Sequence, residues 1–506
     1  MGELRKLRPD VPSFGYATVL SINATSVWGG VFPYLPAACQ TELVTIGFYI
    51  CQLLAFSLSF AGWMALAWAR PGVARSRGVL PFAVPLCAGP LCMVSAMYLS
   101  AAALPLIVLA ALLIGFGLAG FMVSWQRVFA ALGSTEGNLA LIKGTAGSAG
   151  LYLLICLVPP ALTAYLLPLI IVPLAGLCLW MALHALDEGQ PMFEDSPRDH
   201  AAVYRNALRE SVPPALGVGA LGFVAGAIRF IAITHQGLLS AINILSMVAL
   251  FAVVAVFYGL WRRRTLRVSL GAVFRVLFPL VAVCLVVMPF VGEAFTNLGF
   301  GLANGCFMLS CLFMMMHCGQ LSRDSGINPI LIYGFYGTLA YSPQILGYLV
   351  GYASGIESQW GVGQFSFVSL ASLFALLLAA LFGLHGIAGR SRRDAGDLEL
   401  LTLAGHAGPA PAAVGPAAGT PASPPAPDEA PPDALAWRCA QVGRDYGLST
   451  REVEVMELIA RGHTGPAIAE RLFISENTMR THNKRIYAKL DVHKKQELLQ
   501  LIESYV

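Results

Sequence analysis

The run AALPLIVLAALLIGFGLAGFMVSWQ, residues 102–126, contains no charged side chain. About 20 apolar residues in a helix are enough to cross the hydrocarbon core of a bilayer, so this run predicts a transmembrane helix. Eleven further apolar windows of similar length lie on either side of it. Together the twelve windows cover residues 14–35, 43–69, 78–99, 102–126, 139–158, 161–185, 214–234, 238–261, 270–291, 295–317, 328–351 and 364–387.

The composition agrees with a membrane protein that carries a soluble part. The chain has 506 residues, of which 57% are hydrophobic and 12% are charged, whereas soluble domains are about 25% charged. The charge-poor region ends near residue 388, and the C-terminal region is charge-rich. The eleven cysteines show neither disulfide-type nor metal-type spacing, so we expect small helix residues in a reduced context and no metal or other cofactor.

Lys and Arg residues occur in every second loop between the windows. The loops after windows two, eight and ten carry arginine, as do both ends of the apolar region, while the loops after windows one, three, five, seven, nine and eleven contain neither Lys nor Arg. Because positively charged loops stay in the cytoplasm, both termini are predicted to be cytoplasmic. The arginines concerned are Arg5, Arg8, Arg70, Arg75, Arg77, Arg262, Arg263, Arg264, Arg267, Arg323, Arg390, Arg392 and Arg393.

A hydrophilic stretch divides the windows six and six. This layout resembles the major facilitator superfamily, whose two six-helix halves are joined by a cytoplasmic loop. The predicted regions are a cytoplasmic N-terminus at 1–13, six helices at 14–185, a central loop at 186–213 and six helices at 214–388. The signature of that family between helices two and three is incomplete, because Arg70, Arg75 and Arg77 have no acidic partner there.

Few charged side chains fall inside the apolar windows. Arg127, Lys143 and Arg275 lie near cytoplasmic ends, where long side chains reach the interface. Arg229, in the outer part of window seven, is embedded. It is a candidate contact for an anionic ligand group, or else it reaches the outer lipid headgroups.

Two glycine-rich runs lie in the first half, at residues 115–120 and 144–150. Glycines in membrane helices allow the backbones of two helices to approach closely, so these runs predict close helix packing. Helix flexing during a conformational change is the alternative interpretation.

An Ala/Pro-rich segment at 389–434 follows the last window. Repeated prolines such as those at 424, 425 and 427 prevent a continuous helix, so the segment is predicted to be a semi-extended spacer. A Pro-rich motif for a protein partner is the alternative.

The last region, 435–506, has the pattern of a small helical module. Ser449 and Glu452 fit a capping box for a first helix that ends at Gly462. Thr464 and Pro466 fit the start of a second helix, and Ser475 fits the cap of a third helix that runs to about Leu490. Two short helices joined by a tight turn are typical of a helix-turn-helix.

These residues resemble the LuxR-type (LuxR/FixJ-like) helix-turn-helix family from about Leu448 to Val506. The resemblance implies a four-helix module whose third helix enters the major groove of double-stranded DNA. It assigns base contacts to Arg480, Thr481 and Lys484, and phosphate contacts to Thr478, His482 and Lys489. Six Lys or Arg and a single acid between residues 480 and 495 fit phosphate binding. Gly465-Pro466-Ala467 replaces the usual polar and basic residues of the family, so one phosphate contact is lost.

The final helix of that family often pairs two modules. Leu498, Leu499 and Ile502 therefore predict a dimer on a two-half-site operator.

The predicted fold is all-α, a twelve-helix membrane bundle followed by the helical module. The leading functional hypothesis is a membrane-integrated one-component transcriptional regulator that senses a small molecule. Its expected partners are DNA, membrane lipid and that ligand, and RNA polymerase is a candidate. A solute transporter with a regulatory DNA-binding tail and a plain membrane anchor are the rivals. No nucleophile elbow, phosphate loop or carboxylate pair indicates an enzyme.

Overall fold

The structure is a computed structural model of the whole chain. It describes residues 10–29, 31, 33–36, 39–132, 134–186, 190–194, 197–198, 201–234, 236–263, 266–290, 293–357, 364–388, 400–403, 434–448, 450–463, 465, 468, 472, 476–492 and 494–505.

The apolar region is helical almost throughout. The first helix, α1, continues into a π-helical turn at Asn23–Trp28, and α6 contains a second such turn at Leu167–Ile171. The helices are α1 Asp10–Ile22, α2 Glu42–Ala69, α3 Leu80–Tyr98, α4 Ala103–Ala131, α5 Ser134–Cys156, α6 Pro160–His184, α7 Pro191–Glu194, α8 Ala201–Thr234, α9 Gln236–Arg263, α10 Leu270–Val287, α11 Glu293–Ser325, α12 Pro329–Glu357 and α13 Gln364–Ala388.

Each predicted window falls mainly on helical backbone, although the helical part of the first window ends at Trp28. Among the described residues, nine helices are long and apolar enough to cross a membrane, namely α2–α6 and α8–α11. The first window falls on α1 and its π-helical turn, and the last two fall on α12 and α13. The chain is therefore a membrane protein with many spans, and the count of twelve stays a prediction.

The central loop is shorter than predicted. It was expected to reach residue 213, but α8 already begins at Ala201 and passes through Pro213 and Pro214. Tyr204 is buried and its hydroxyl accepts a hydrogen bond from the Asn328 backbone N–H at 2.8 Å. This contact with the start of α12 stabilises the first turns of α8. Because these turns are hydrophilic, the sequence pattern predicted a loop there.

Glycines bring helices of the bundle into close contact. A Cβ atom at Gly115 would lie 2.7 Å from the carbonyl oxygen of Gln52 on α2, and one at Gly117 would lie 2.8 Å from that of Phe82 on α3. One at Gly144 would lie 2.9 Å from the carbonyl oxygen of Ser13 on α1. Close packing is thus observed at these three positions, whereas nothing lies within 4 Å of a Cβ at Gly150.

A short antiparallel ribbon interrupts the predicted linker. Strand β1, Leu266–Ser269, pairs with strand β2, Leu400–Leu403, with Leu266 opposite Leu403. It is the one sheet within the described part of an otherwise all-α chain. The segment after α13 therefore returns to the connection between α9 and α10 before the chain continues to the module.

The C-terminal module has its own hydrophobic core. Its helices are α14 Ala434–Asp445, α15 Thr450–Ala460, α16 Glu476–Leu490 and α17 Lys495–Glu503. The core includes Cys439, Val455, Met456, Ile468 and Ile486. Gly465 and Ile468 are helical, where the second helix of the motif was predicted, while Ser449, Thr464, Pro466 and Ser475 lie outside the described residues. Helix α14 was not predicted from the sequence.

Candidate DNA-binding module and central cavity

Helix α16 is the predicted DNA-recognition helix. It buries Met479, His482, Ile486 and Leu490, which follow each other at intervals of three or four residues and form one stripe against the core. Since successive residues of an α-helix turn by about 100°, positions 481, 484 and 488 fall on the opposite face, and position 480 falls at its edge. The helix therefore packs on the core through one face, and Ala488 on the opposite face is exposed.

The residues predicted to contact base edges lie at positions of α16 that face away from the core of the module. Arg480, Thr481 and Lys484 belong to α16, as does Thr478 near its start. The side chains of these four residues lie outside the described part of the chain, so their contacts stay predictions.

Lys489 has a partner inside the module. Its ammonium group is 3.0 Å from the Glu452 Oε2 atom and donates a second hydrogen bond to the Gly447 carbonyl at 2.9 Å. The two side chains are 4% and 0% exposed. Glu452 lies in the first turn of α15 and Lys489 in the last turn of α16, where each charge also interacts favourably with its helix dipole. The pair therefore fixes the end of α16 to the start of α15.

His482 is enclosed beside this pair. It is 2% exposed, and its Nδ1 atom has no hydrogen-bond partner within the described residues. Burial, and to a lesser extent the positive charge of Arg485, lowers the pKa of His482 from 6.5 to about 4. His482 is consequently neutral near pH 7. A neutral buried ring supports the position of α16 rather than supplying charge to a phosphate.

The ends of the module helices explain its tight turns. Gly462 has a φ of +87°, and the His463 N–H donates to the Leu458 carbonyl at 3.0 Å, which is the Schellman arrangement. The predicted stop of the first helix at Gly462 is thus confirmed. Arg451 on α15 donates to the Leu472 carbonyl and so connects the first helix to the end of the predicted second helix.

Two of the three residues that were predicted to pair two modules pack inside their own module instead. Leu498 and Ile502 are 0% and 1% exposed because they fill the core of their own module. Leu499 is half-buried. The prediction that all three residues pair two modules is therefore wrong for Leu498 and Ile502, since α17 needs them to pack on its own domain. Helical spacing alone could not distinguish an internal face from an interface.

A cavity lies between the two halves of the membrane bundle. It is lined by α1, α2, α4 and α5 of the first half and by α9, α11 and α12 of the second half, and its volume is about 60 Å³. Its lining contains no Asp, Glu, Lys, Arg or His. The lining side chains are mostly aromatic and methionine, with the polar side chains of Asn23, Thr145, Ser148 and Gln344.

Arg229 lies outside this lining. It is 5% exposed, and its Nη1 atom donates to the Trp28 carbonyl and, at 3.2 Å, to Asn243 Oδ1. Its guanidinium group also stands 5.5 Å from the centre of the Trp28 ring. The expectation that Arg229 reaches lipid headgroups is wrong, because the side chain is enclosed between the halves. Arg229 connects α8 to the end of α1.

The halves also meet on the opposite side of the cavity. Arg323 on α11 donates to the Phe129 carbonyl on α4 at 2.9 Å, and Gln126 donates to the Met315 carbonyl at 3.2 Å. Arg127, expected to reach the interface, is instead buried. Arg229 and Arg323 thus connect the two halves on either side of the cavity.

Sequence reasoning missed most of this arrangement. Glu452 was assigned to a capping box and Lys489 to phosphate binding, because a chain pattern cannot reveal a contact between residues 37 positions apart. The cavity residues are aromatic and methionine side chains that occur throughout the apolar windows. The one available signal was the lack of embedded acids in the apolar windows, and the described lining of the cavity contains no Asp or Glu.

Within the described residues, no group of three or more His, Cys, Asp or Glu side chains could hold a metal ion.

Comparison with known proteins identifies the module. Residues 447–502 match the family described as "Bacterial regulatory proteins, luxR family". The chain is 45% identical over 53 residues to the oxygen regulatory protein NreC of Staphylococcus haemolyticus, covering 10% of this chain and 24% of that protein. It is 48% identical over 46 residues to a putative transcriptional regulator of Pseudomonas aeruginosa, covering 9% and 22%. The chain thus spans about a quarter of the length of these relatives. The C-terminal module is a LuxR-type helix-turn-helix domain.

The membrane part is similar to solved transporters. It aligns with a bacterial homologue of the iron transporter ferroportin in an outward-facing state, with a TM-score of 0.51 and 13% identity, over 76% of this chain and all of that one. FucP, a major facilitator superfamily transporter, aligns with a TM-score of 0.48 and 12% identity over 75% of this chain and 98% of its own. The first likeness concerns the fold alone, and it confirms the transporter-like architecture predicted from the sequence.

Proposed function

We propose that the chain is a membrane-integrated one-component transcriptional regulator whose membrane part binds a small molecule. The observation that carries the proposal is the fusion itself, a LuxR-type module on the same chain as a transporter-like bundle with a cavity between its two halves. Ligand binding changes DNA binding only when the ligand favours one arrangement of the bundle over another. Two halves that meet on both sides of a cavity provide such arrangements.

In this proposal α16 enters the major groove. Arg480, Thr481 and Lys484 contact base edges, with Arg480 on a guanine as the main specificity contact. Thr478 contacts a phosphate. The buried positions of His482 and Lys489 support a positioning role, in which they hold α16 at the angle that the groove requires. Two copies bind the two half-sites of one operator.

The Lys and Arg pattern of the loops supports a cytoplasmic location for both termini and for the module. Residues 404–433 lie between β2 and α14. The sequence predicts an Ala/Pro-rich spacer there, and a spacer of thirty residues treated as a coil would have a typical end-to-end distance of about 30 Å. The module therefore reads DNA close to the membrane surface.

The rival function is solute transport with regulation by the tail. It is favoured by the likeness to transporters, and uncharged solutes need no embedded acids. The plain membrane anchor is the weaker rival, because an anchor has no need of a cavity between two halves.

The decisive experiment maps the genomic sites occupied by the tagged full-length protein and by a variant that lacks residues 434–506. We expect discrete sites for the full chain, none for the variant, and altered transcripts from the neighbouring genes in the variant. Arg480→Ala in the full chain is the matched control for loss of DNA contact without loss of the domain. Unchanged transcripts together with lost uptake of a solute would favour the transporter.

A further inference from the structure

We propose that the cavity between the two halves binds an uncharged, largely apolar molecule that carries one hydrogen-bonding group. This proposal rests on the proposed function in that the cavity is the sensing site, and it adds the chemical class of the ligand. Two observations support it: the kinds of side chain that line the cavity and one buried hydroxyl group among them.

The described lining offers no counter-charge to a charged ligand. Among the described residues it offers no side chain that is ionised near pH 7. An ion that enters such a site loses its hydration without gaining a counter-charge, which is strongly unfavourable. Arg229 does not provide one, because it lies outside the lining and donates to the Trp28 carbonyl and Asn243.

The aromatic side chains favour a flat or apolar body. Rings from both halves face the space, and Phe56 packs edge-on against Tyr341 with ring centres 4.8 Å apart. Aromatic rings supply a large apolar surface with defined packing geometry. The aromatic lining residues are Tyr16, Trp28, Phe56, Phe307, Tyr333 and Tyr341.

One hydroxyl group is available to a ligand. Tyr333 is fully buried, and its hydroxyl lacks a hydrogen-bond partner of normal geometry within the described residues. Tyr341 lies beside it, but the Tyr341 hydroxyl is directed to Cys311 Sγ at 3.8 Å. A buried polar group without a partner is costly, so a ligand that hydrogen-bonds to Tyr333 is favoured over one that does not.

Methionines allow the cavity to adapt. Met122 belongs to the first half, and Met247, Met308 and Met315 belong to the second half. Their flexible thioether side chains fill irregular spaces and rearrange at low cost. The cavity volume of about 60 Å³ is several times the roughly 10–15 Å³ that one water needs. The cavity as it stands therefore suits a compact molecule, and methionine rearrangement accommodates a somewhat larger one.

Three probes of nearly equal size test the proposal. Benzyl alcohol is uncharged, benzoate is an anion and benzylammonium is a cation, while the ring is the same. Equilibrium dialysis with the radiolabelled probes measures binding to the full-length protein in lipid nanodiscs, and empty nanodiscs give the background from lipid partitioning. We expect one saturable site for benzyl alcohol, with affinity at least 10-fold higher than for either ion, on the basis of the desolvation cost of a charge.

Two tyrosine variants test the hydrogen bond. Tyr333→Phe removes the hydroxyl without changing the shape of the site, and we expect benzyl alcohol to bind about 5-fold more weakly. Tyr336→Phe is the matched control, since this neighbouring buried tyrosine on α12 does not line the cavity. Equal affinity of the wild type and Tyr333→Phe overturns the role of the hydroxyl.

The outcome is independent of DNA binding. Binding of either ion as tightly as benzyl alcohol, or no saturable binding of benzyl alcohol above empty nanodiscs, overturns the proposed ligand class even when genomic sites are found. Conversely, selective binding of benzyl alcohol without any genomic site leaves the ligand class standing and contradicts the regulatory function.

Discussion

Lys489 and Glu452 form an almost fully buried ion pair that joins the last turn of α16 to the first turn of α15, with the ammonium nitrogen 3.0 Å from the carboxylate oxygen. The Gly447 carbonyl accepts another hydrogen bond from the same ammonium group. The pair holds the end of α16 against the start of α15. We therefore expect it to affect both the stability of the module and the position of the predicted DNA-binding face of α16.

Removal of one partner should be costly. In the isolated module, residues 434–506, which has its own core, Lys489→Met leaves the Glu452 carboxylate buried without its counter-charge. We expect a loss of about 3–5 kcal/mol in the free energy of unfolding, measured with urea. The double variant Lys489→Met/Glu452→Gln removes both charges and should recover much of this loss. If the double variant is as unstable as the single one, the buried charge is not the cause.

Protonation of His482 should make the module sensitive to acid. Its pKa is about 4 in the folded module, below the 6.5 of an exposed histidine, so the unfolded chain binds more protons between these values. The stability that the neutral His482 contributes is fully present above pH 6.5 and is lost as the pH falls towards 4. The free energy of unfolding should fall by on the order of 3 kcal/mol over this range. Urea unfolding from pH 7.5 to 4.0 measures it.

The matched variant for that experiment is His482→Gln, which keeps a polar side chain of similar size but does not titrate. We expect a flatter dependence of stability on pH than in the wild type. Equal slopes in the two proteins would assign the acid sensitivity to the carboxylates instead.

Arg480 should determine operator affinity. Arg480→Ala removes the proposed guanine contact, and we expect affinity for the operator to fall by about 1–3 kcal/mol, or roughly 5- to 150-fold. Arg444→Ala, an exposed cation on α14 and outside the basic cluster, is the control and should change affinity little. Fluorescence anisotropy with labelled operator DNA at fixed salt measures both, and equal losses would point to unspecific charge attraction.

Arg229 should stabilise the membrane bundle rather than bind a ligand anion. Arg229→Gln removes its contacts with Trp28 and Asn243, and a buried carbonyl group loses a donor, which costs about 1–3 kcal/mol. We therefore expect a lower unfolding temperature of the full-length protein in detergent, measured by tryptophan fluorescence. Arg262→Gln, at an exposed position near the end of α9, is the control. An unchanged unfolding temperature in Arg229→Gln would contradict the connecting role.

The sequence predicted the features that depend on local pattern. Apolar windows located the helices, and Gly462 marked the end of α15, because both signals lie in consecutive residues. It did not predict contacts between distant residues. The Glu452–Lys489 pair, the enclosure of Arg229 and the burial of Leu498 depend on how helices pack, and the same residue types at the same spacing fit a cap, an interface or a core.

The glycine runs make this limit testable. Gly115 begins the first run and Gly150 ends the second, and a Cβ at Gly115 would lie 2.7 Å from the Gln52 carbonyl oxygen whereas one at Gly150 would meet nothing within 4 Å. Gly115→Leu should therefore force α4 away from α2 and cost at least about 1–3 kcal/mol, seen as a lower yield of monodisperse protein and a lower unfolding temperature. Gly150→Leu should leave both unchanged. Equal damage from the two substitutions would mean that the second run flexes or packs in another state of the bundle.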